Sequence, residues 1–378
     1  MKSLQLGMHW FPERPGGLDR MYYTLFNALP DAGVTVHGLV AGNGQAERDT
    51  GGRVRSFAGK DESLARRLLA SRTAIREEVR AFKPDNVAIH FALYAMPGMK
   101  ALADTPTVMH FHGPWASESG FENPTGLTHG IKAHLEKSVY KRTQRQIVLS
   151  RAFAKVLEEQ YGMARDKIEI VPGCIHTQSY ETGLTQRQAR EKLGLPTDRP
   201  IIVAVRRLVR RMGLEDLVDA VAQLREKWPD LLLVIAGKGP LSDELKARAE
   251  SKGIGAQLKL LGYVPDADLP LVYQSANLSI VPTVALEGFG LITIESLACG
   301  TPVMVTPVGG LPDAVSGLSP DLVLPSTGSS AIATAIDDVM SGRMTLPDSE
   351  ACRTYARTHF DVQVIARRTR EVYERAAA

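Results

Sequence analysis

Three cysteines in 378 residues, Cys174, Cys299 and Cys352, are odd in number and far apart, without metal-ligand spacing. That argues against a disulfide framework and a thiolate metal site, and they are expected to be reduced, buried small residues. Long apolar runs are lacking too. No stretch approaches the length that crosses a bilayer, and the opening MKSLQLGMHW lacks the apolar segment of a secretion signal. Excess charge is also missing: a net +3 is too small to argue for a nucleic-acid partner. There is no fixed-period repeat, no low-complexity segment and no aspartate-rich metal motif. These absences leave a soluble cytoplasmic enzyme or binding protein.

What is present is an ordinary globular composition, 44% hydrophobic and 23% charged, in a chain whose length suits two domains. Short apolar runs alternate with helical patterns, the signature of parallel sheets flanked by helices. In the first half, strands are predicted at Leu4–Met8, Val34–Val40, Val87–His90, Thr107–Phe111, Gln146–Leu149 and Ile168–Val171. In the second half they are predicted at Ile201–Val205, Leu231–Ile235, Leu258–Leu261, Leu278–Val281, Val303–Val305 and Leu322–Leu324. Leu214, Leu217, Val218, Val221, Leu224 and Trp228 recur at helical spacing, and Pro229 stops that helix. The domain boundary is expected between Pro172 and Leu184, where periodicity is lost.

The most informative stretch is Glu287-Gly288-Phe289-Gly290-Leu291, followed by Glu295. Two carboxylates eight positions apart bracket a glycine-rich turn that opens a helix. Such a turn aims free backbone N–H groups at one point, where the helix N-terminus adds about half a positive charge. A phosphate or sugar hydroxyl suits that spot. Glu295, one turn into the helix, is placed to accept from vicinal hydroxyls, as carboxylates do with ribose.

Together with Arg206-Arg207-Leu208, Gly237-Lys238-Gly239-Pro240, His112-Gly113 and Pro15-Gly16-Gly17, in this order, the motif resembles the retaining glycosyltransferases of family 4. The resemblance runs from about Leu4 to Arg375. It implies an α/β GT-B fold, two Rossmann-like doubly wound domains facing a central cleft. Residues 1–180 would bind the acceptor and residues 185–358 the nucleotide sugar, with a C-terminal helix over 361–378 crossing back onto the first domain.

The resemblance also implies roles for residues. Arg207 matches the arginine that binds the donor diphosphate. The glycine before it is replaced by Arg206, and the usual lysine position holds Met212, so Arg211 is the expected stand-in. Gly16 and Gly17, after the first strand, would let the backbone approach the donor phosphate or sugar. His112 matches the histidine that reaches the reacting sugar. Of the two histidines flanking Phe111, only one is expected to face the cleft, and His112 is chosen because Gly113 ends the strand. Gly237 would run beside the nucleotide and Val264 beside the nucleobase, while Gly288, Phe289, Gly290, Leu291 and Glu295 complete the donor site. His90, Trp115 and Glu118 are expected on the acceptor side.

The implied reaction moves a hexose-type sugar from a nucleoside diphosphate to an acceptor hydroxyl with retention. Its setting would be bacterial polysaccharide or glycolipid assembly. The transition state is oxocarbenium-like, with charge building on the leaving diphosphate. Arg207, Arg211 and the turn amides would neutralise it with no metal or cofactor, and Glu287 would hold the sugar. Two other readings share these residues: a nucleotide-sugar epimerase of the same fold, and a non-catalytic sugar-nucleotide-binding subunit. Basic helical patterns around Arg66–Lys83 and Lys132–Arg145 raise peripheral contact with an anionic membrane, against which a solvated helix face is preferred.

Overall fold

The computed structural model describes residues 1–14, 16–113 and 134–378. The chain divides into two compact units, one of residues 1–174 with 362–378 and one of residues 175–361. In the first unit, β1 (Lys2–His9), β2 (Thr35–Ala41), β3 (Val54–Ala58), β4 (Asn86–Ile89), β5 (Thr107–Phe111), β6 (Arg145–Val148) and β7 (Ile168–Ile170) form one sheet. Every neighbouring pair is parallel, in the order β3-β2-β1-β4-β5-β6-β7. In the second, β8 (Ile201–Val205), β9 (Leu232–Ala236), β10 (Leu258–Gly262), β11 (Leu278–Val281) and β12 (Val303–Val305) form a parallel sheet ordered β10-β9-β8-β11-β12. Both are doubly wound α/β sheets, as the GT-B resemblance implies, and inner strands such as β4, β8 and β11 are buried on both faces and largely apolar.

Each sheet reverses its winding beside its first strand. In the first, β1 lies between β2 and β4; in the second, β8 lies between β9 and β11. Ligands of open parallel sheets bind beyond the carboxyl ends of the strands at such switch points. The chain just after β1 and β4 includes Gly16 and His90. After β8 and β11 come Arg206 and Thr283.

Two strand expectations are corrected. β3 was not anticipated: Arg55 and Ser56 interrupt its apolar pattern, which an edge strand tolerates because one side lacks a partner. Leu322–Leu324 is not a strand. A 3-10 turn spans Pro320–Leu322, and the segment makes a single bridge, Val305 with Val323. Pro320 supplies no backbone N–H, so a longer ladder does not start there.

The last helix, Val362–Ala377, belongs to the first unit. Val362, Ile365, Ala366, Thr369, Val372 and Tyr373 recur at spacings of three and four and are buried on that unit. Arg370 Nη1 anchors it by donating to the Ala32 carbonyl at 3.0 Å. The basic helix Leu64–Phe82 is capped by Ser63, whose Oγ accepts from the Arg66 N–H. It leaves Leu69 66% exposed, and its Arg66 pairs with Glu62 at 2.7 Å. Among the described residues no helix is long and apolar enough to cross a membrane.

Candidate active site

In the second unit the chain leaves β8 at Arg206, whose side chain turns inward. Arg206 is 8% exposed, and its Nη2 donates to Glu287 Oε2 at 2.6 Å and also to Thr283 Oγ1. Its Nε is buried without a partner. Arg207, the expected diphosphate ligand, is exposed and makes no ion pair among the described residues. The inward arginine is thus the one at the family's glycine position. Arg211 Nη1 donates to the Leu286 carbonyl at 2.9 Å, bracing the turn before Glu287. Met212 is 5% exposed, which suits a thioether and would bury a lysine ammonium.

The Glu287 turn is held in an unusual backbone shape. Leu286 adopts φ +54°, a left-handed conformation that a side-chain-bearing residue takes only at a cost of about 1–3 kcal/mol. Gly290, at φ +79°, is the N-cap of the helix Leu291–Ala298 and offers no side chain to its first turn. A Cβ on Gly290 would lie 3.2 Å from Thr293 Oγ1 and 3.8 Å from the Glu287 carboxyl carbon. Glu287 and Thr293 therefore converge on one glycine at a helix N-terminus. The Thr293 hydroxyl is itself buried without a partner. With the free Nε–H of Arg206, this corner holds a carboxylate, a guanidinium, a hydroxyl and helix-start amides. It can grip an anion and accept from a hydroxyl at once.

The remaining donor-side residues differ in exposure. Phe289 is 2% exposed and packs against Phe360 at 5.6 Å, so its backbone rather than its ring borders the turn. Glu295 is 2% exposed, and its Oε2 accepts from the Tyr273 hydroxyl at 2.9 Å. The carboxylate expected to meet ribose is thus seated in the helix's buried face. Gly237, at φ +146°, sits where any Cβ would overlap the Arg206 carbonyl. Its N–H donates to the Gly262 carbonyl at 2.7 Å, tying β9 to β10 at their carboxyl ends. Val264 packs on the core beside Tyr263, which is 64% exposed and lies under Lys238 Nζ at 5.3 Å.

In the first unit, Gly16 is the extended N-cap of the helix Gly17–Ala28. A Cβ at Gly16 would lie 3.0 Å from Asp19 Oδ2, whereas one at Gly17 would meet nothing within 4 Å. Asp19 is buried and accepts from the His9 N–H at 3.0 Å. At the ends of β4 and β5, His90, His110 and His112 stack. The ring centroids lie 4.1 Å apart for His90–His110 and 5.3 Å for His90–His112. Both histidines flanking Phe111 therefore lie on one side, as the two-residue period of a strand requires, and the expectation of a single inward ring is corrected. His90 is 2% exposed and lies against His112, so it does not offer a surface to an acceptor. Trp115 and Glu118 lie outside the described residues.

Burial governs these rings. It lowers His112 to about 4, against an opposing pull from Asp19. Burial, reinforced by the neighbouring rings, holds His90 and His110 well below the ordinary imidazole range. Residues absent from the expected site now join it: Arg206 and Thr283 beside Glu287, and Gln5 and Tyr373 beside the histidines. Only Arg206 carried a signal, as the first arginine of a pair at a strand's end.

The family model Glycosyltransferase Family 4 matches residues 15–179, and the model Glycosyl transferases group 1 matches residues 185–359. The chain is similar to the 2-deoxystreptamine N-acetyl-D-glucosaminyltransferase of Streptomyces fradiae, 25% identical over 72% of this chain and 67% of that protein. It is also similar to the D-inositol 3-phosphate glycosyltransferase of Segniliparus rotundus, 28% identical over 81% and 68% of the two chains. Among solved structures it superposes on Anabaena Alr3699/HepE in complex with UDP, with TM-score 0.81 and 19% identity over 99% of this chain and 100% of the other.

Proposed function

Because the chain belongs to the group 1 glycosyltransferases of family 4, we propose that it moves a hexose-type sugar from a nucleoside diphosphate to an acceptor hydroxyl with retention of configuration. The observation that carries this reading is the Glu287 carboxylate, held by Arg206 at 2.6 Å and set beside the start of the helix Leu291–Ala298. Charge develops on the leaving diphosphate, and preorganised donors aimed at it lower the barrier. Arg206 Nε, the amides after Gly290 and the Thr293 hydroxyl are such donors, with no metal required. Arg207, exposed beside them, closes on the diphosphate from solvent.

Glu287 has one oxygen committed to Arg206 and the other available to the donor sugar. From there it steadies the ring's hydroxyls and the positive charge that builds on the anomeric carbon. The acceptor's proton passes to the departing phosphate oxygen on the same face. His112 is proposed, by the resemblance, as the histidine that contacts the donor sugar. The proposed setting is assembly of a bacterial polysaccharide or glycolipid, with a saccharide or lipid-linked acceptor, although the two relatives above are named for the small acceptors 2-deoxystreptamine and D-inositol 3-phosphate.

A panel of UDP-, GDP- and ADP-sugars tests the reading, starting from UDP-glucose because a protein of this fold binds it. Donor turnover that requires an added acceptor supports transfer. Epimerised donor without acceptor, or binding without turnover, would replace it with one of the other two readings.

A further inference from the structure

The histidines of the first unit are joined by hydrogen bonds whose direction can be followed from one end. On β1, Gln5 donates from Nε2 to Ser3 Oγ at 2.7 Å. Its Oε1 faces two groups, His90 Nε2 at 3.0 Å and the Tyr373 hydroxyl at 3.4 Å. An amide oxygen only accepts, so His90 carries its proton on Nε2. His90 is buried in a stack of rings that disfavours charge, and a neutral imidazole has one donor and one acceptor nitrogen. Its Nδ1 is then a lone pair, and it faces His112 Nε2 at 3.1 Å. That nitrogen of His112 must be the donor. His110 follows the same pattern: its Nε2 lies 2.7 Å from the Tyr373 oxygen, whose own proton goes to Gln5.

We propose that Gln5, His90 and Tyr373 form a buried relay that fixes His112 as the Nε2–H tautomer, leaving its Nδ1 able only to accept. A ligand hydroxyl fits that nitrogen and a carboxylate, which brings no proton, does not. Gln5, His90 and Tyr373 are then positioning residues that act through His112. Tyr373 stands 368 residues from Gln5, so the relay is complete only when the C-terminal helix is docked on its own unit. The functional half of this inference rests on His112 meeting the donor sugar.

The test is a long-range proton–nitrogen NMR correlation on full-length protein labelled at histidine nitrogens. His112 is assigned by the signals lost in His112→Gln. The expected spectrum has His112 Nε2 protonated and Nδ1 unprotonated, unchanged through the pH range where a free imidazole titrates. A protonated Nδ1 on His112 overturns the relay. Gln5→Leu removes the acceptor, and Tyr373→Phe removes the hydroxyl that keeps the amide from turning. Each brings in the second tautomer, and Gln5→Leu lowers kcat about tenfold with donor KM little changed. A single tautomer retained in both variants overturns the relay, and unchanged kcat in Gln5→Leu overturns the positioning role. If no nucleotide sugar is turned over by the wild type, the spectrum still decides the tautomer, and only the functional reading fails.

Discussion

Arg206 donates to Glu287 across 2.6 Å, although 81 residues separate them in the chain. Their side chains are 6% and 15% exposed, so each removes a charge that water no longer reaches well. Breaking such a pair from one side is more harmful than removing both, because the remaining charge is left uncompensated. Arg206→Met should lower unfolding stability by about 3 kcal/mol in urea. Arg206→Met with Glu287→Gln should lower it by less than the sum of the single changes. Additive losses would show that the two residues do not interact.

The glycines separate structure from ligand contact. At Gly237 a Cβ overlaps the Arg206 carbonyl, and φ +146° is strained for any other residue. Gly237→Ala should therefore lower thermal stability and activity together. Gly17 has open space around it. Gly17→Ala should keep the wild-type Tm and raise the donor KM, since the added methyl blocks only a ligand's approach. A Gly17→Ala variant with wild-type KM would remove that residue from the donor site.

Acid should weaken the first unit through its histidines. His90, His110 and His112 have folded pKa values below the unfolded value of about 6.5. As pH falls below that value the unfolded chain takes up protons that the folded chain does not, so stability drops. Each histidine contributes a slope of about 1.4 kcal/mol per pH unit until its folded pKa is reached, which for His112 is about 4. Urea unfolding followed from neutral pH downward should show this fall. His90→Gln should flatten it by about one proton's slope, whereas an unchanged slope would show that His90 titrates normally.

The extent to which the sequence revealed all this follows from range. The helix Leu64–Phe82 and the turn into Leu291–Ala298 were legible because caps, glycines and three-to-four spacing act over a few residues. The parallel sheets were legible because buried strands are short apolar runs between polar breaks. β3 was hidden because an edge strand can carry Arg55 and Ser56. The choice between Arg206 and Arg207 was hidden for another reason. Both follow the end of β8, where alternation no longer dictates direction, and the outcome depends on Glu287 and Thr283 across the switch point. His90, at a strand's end, was expected on the acceptor side. Gln5, which bonds His90, and Tyr373, which bonds Gln5 and His110, come from the two ends of the chain, which no local pattern encodes.

Glu287 is proposed to serve a nucleotide sugar whose leaving diphosphate is held by protein donors alone. The most direct test is turnover of the donor that the panel identifies, in EDTA, by wild type and by Glu287→Ala at matched folded concentration. Full turnover by the wild type in EDTA is expected, with loss of at least about a hundredfold in the variant, whose fold is unchanged by circular dichroism. Equal turnover by the two proteins, or a wild type that EDTA silences, would contradict it.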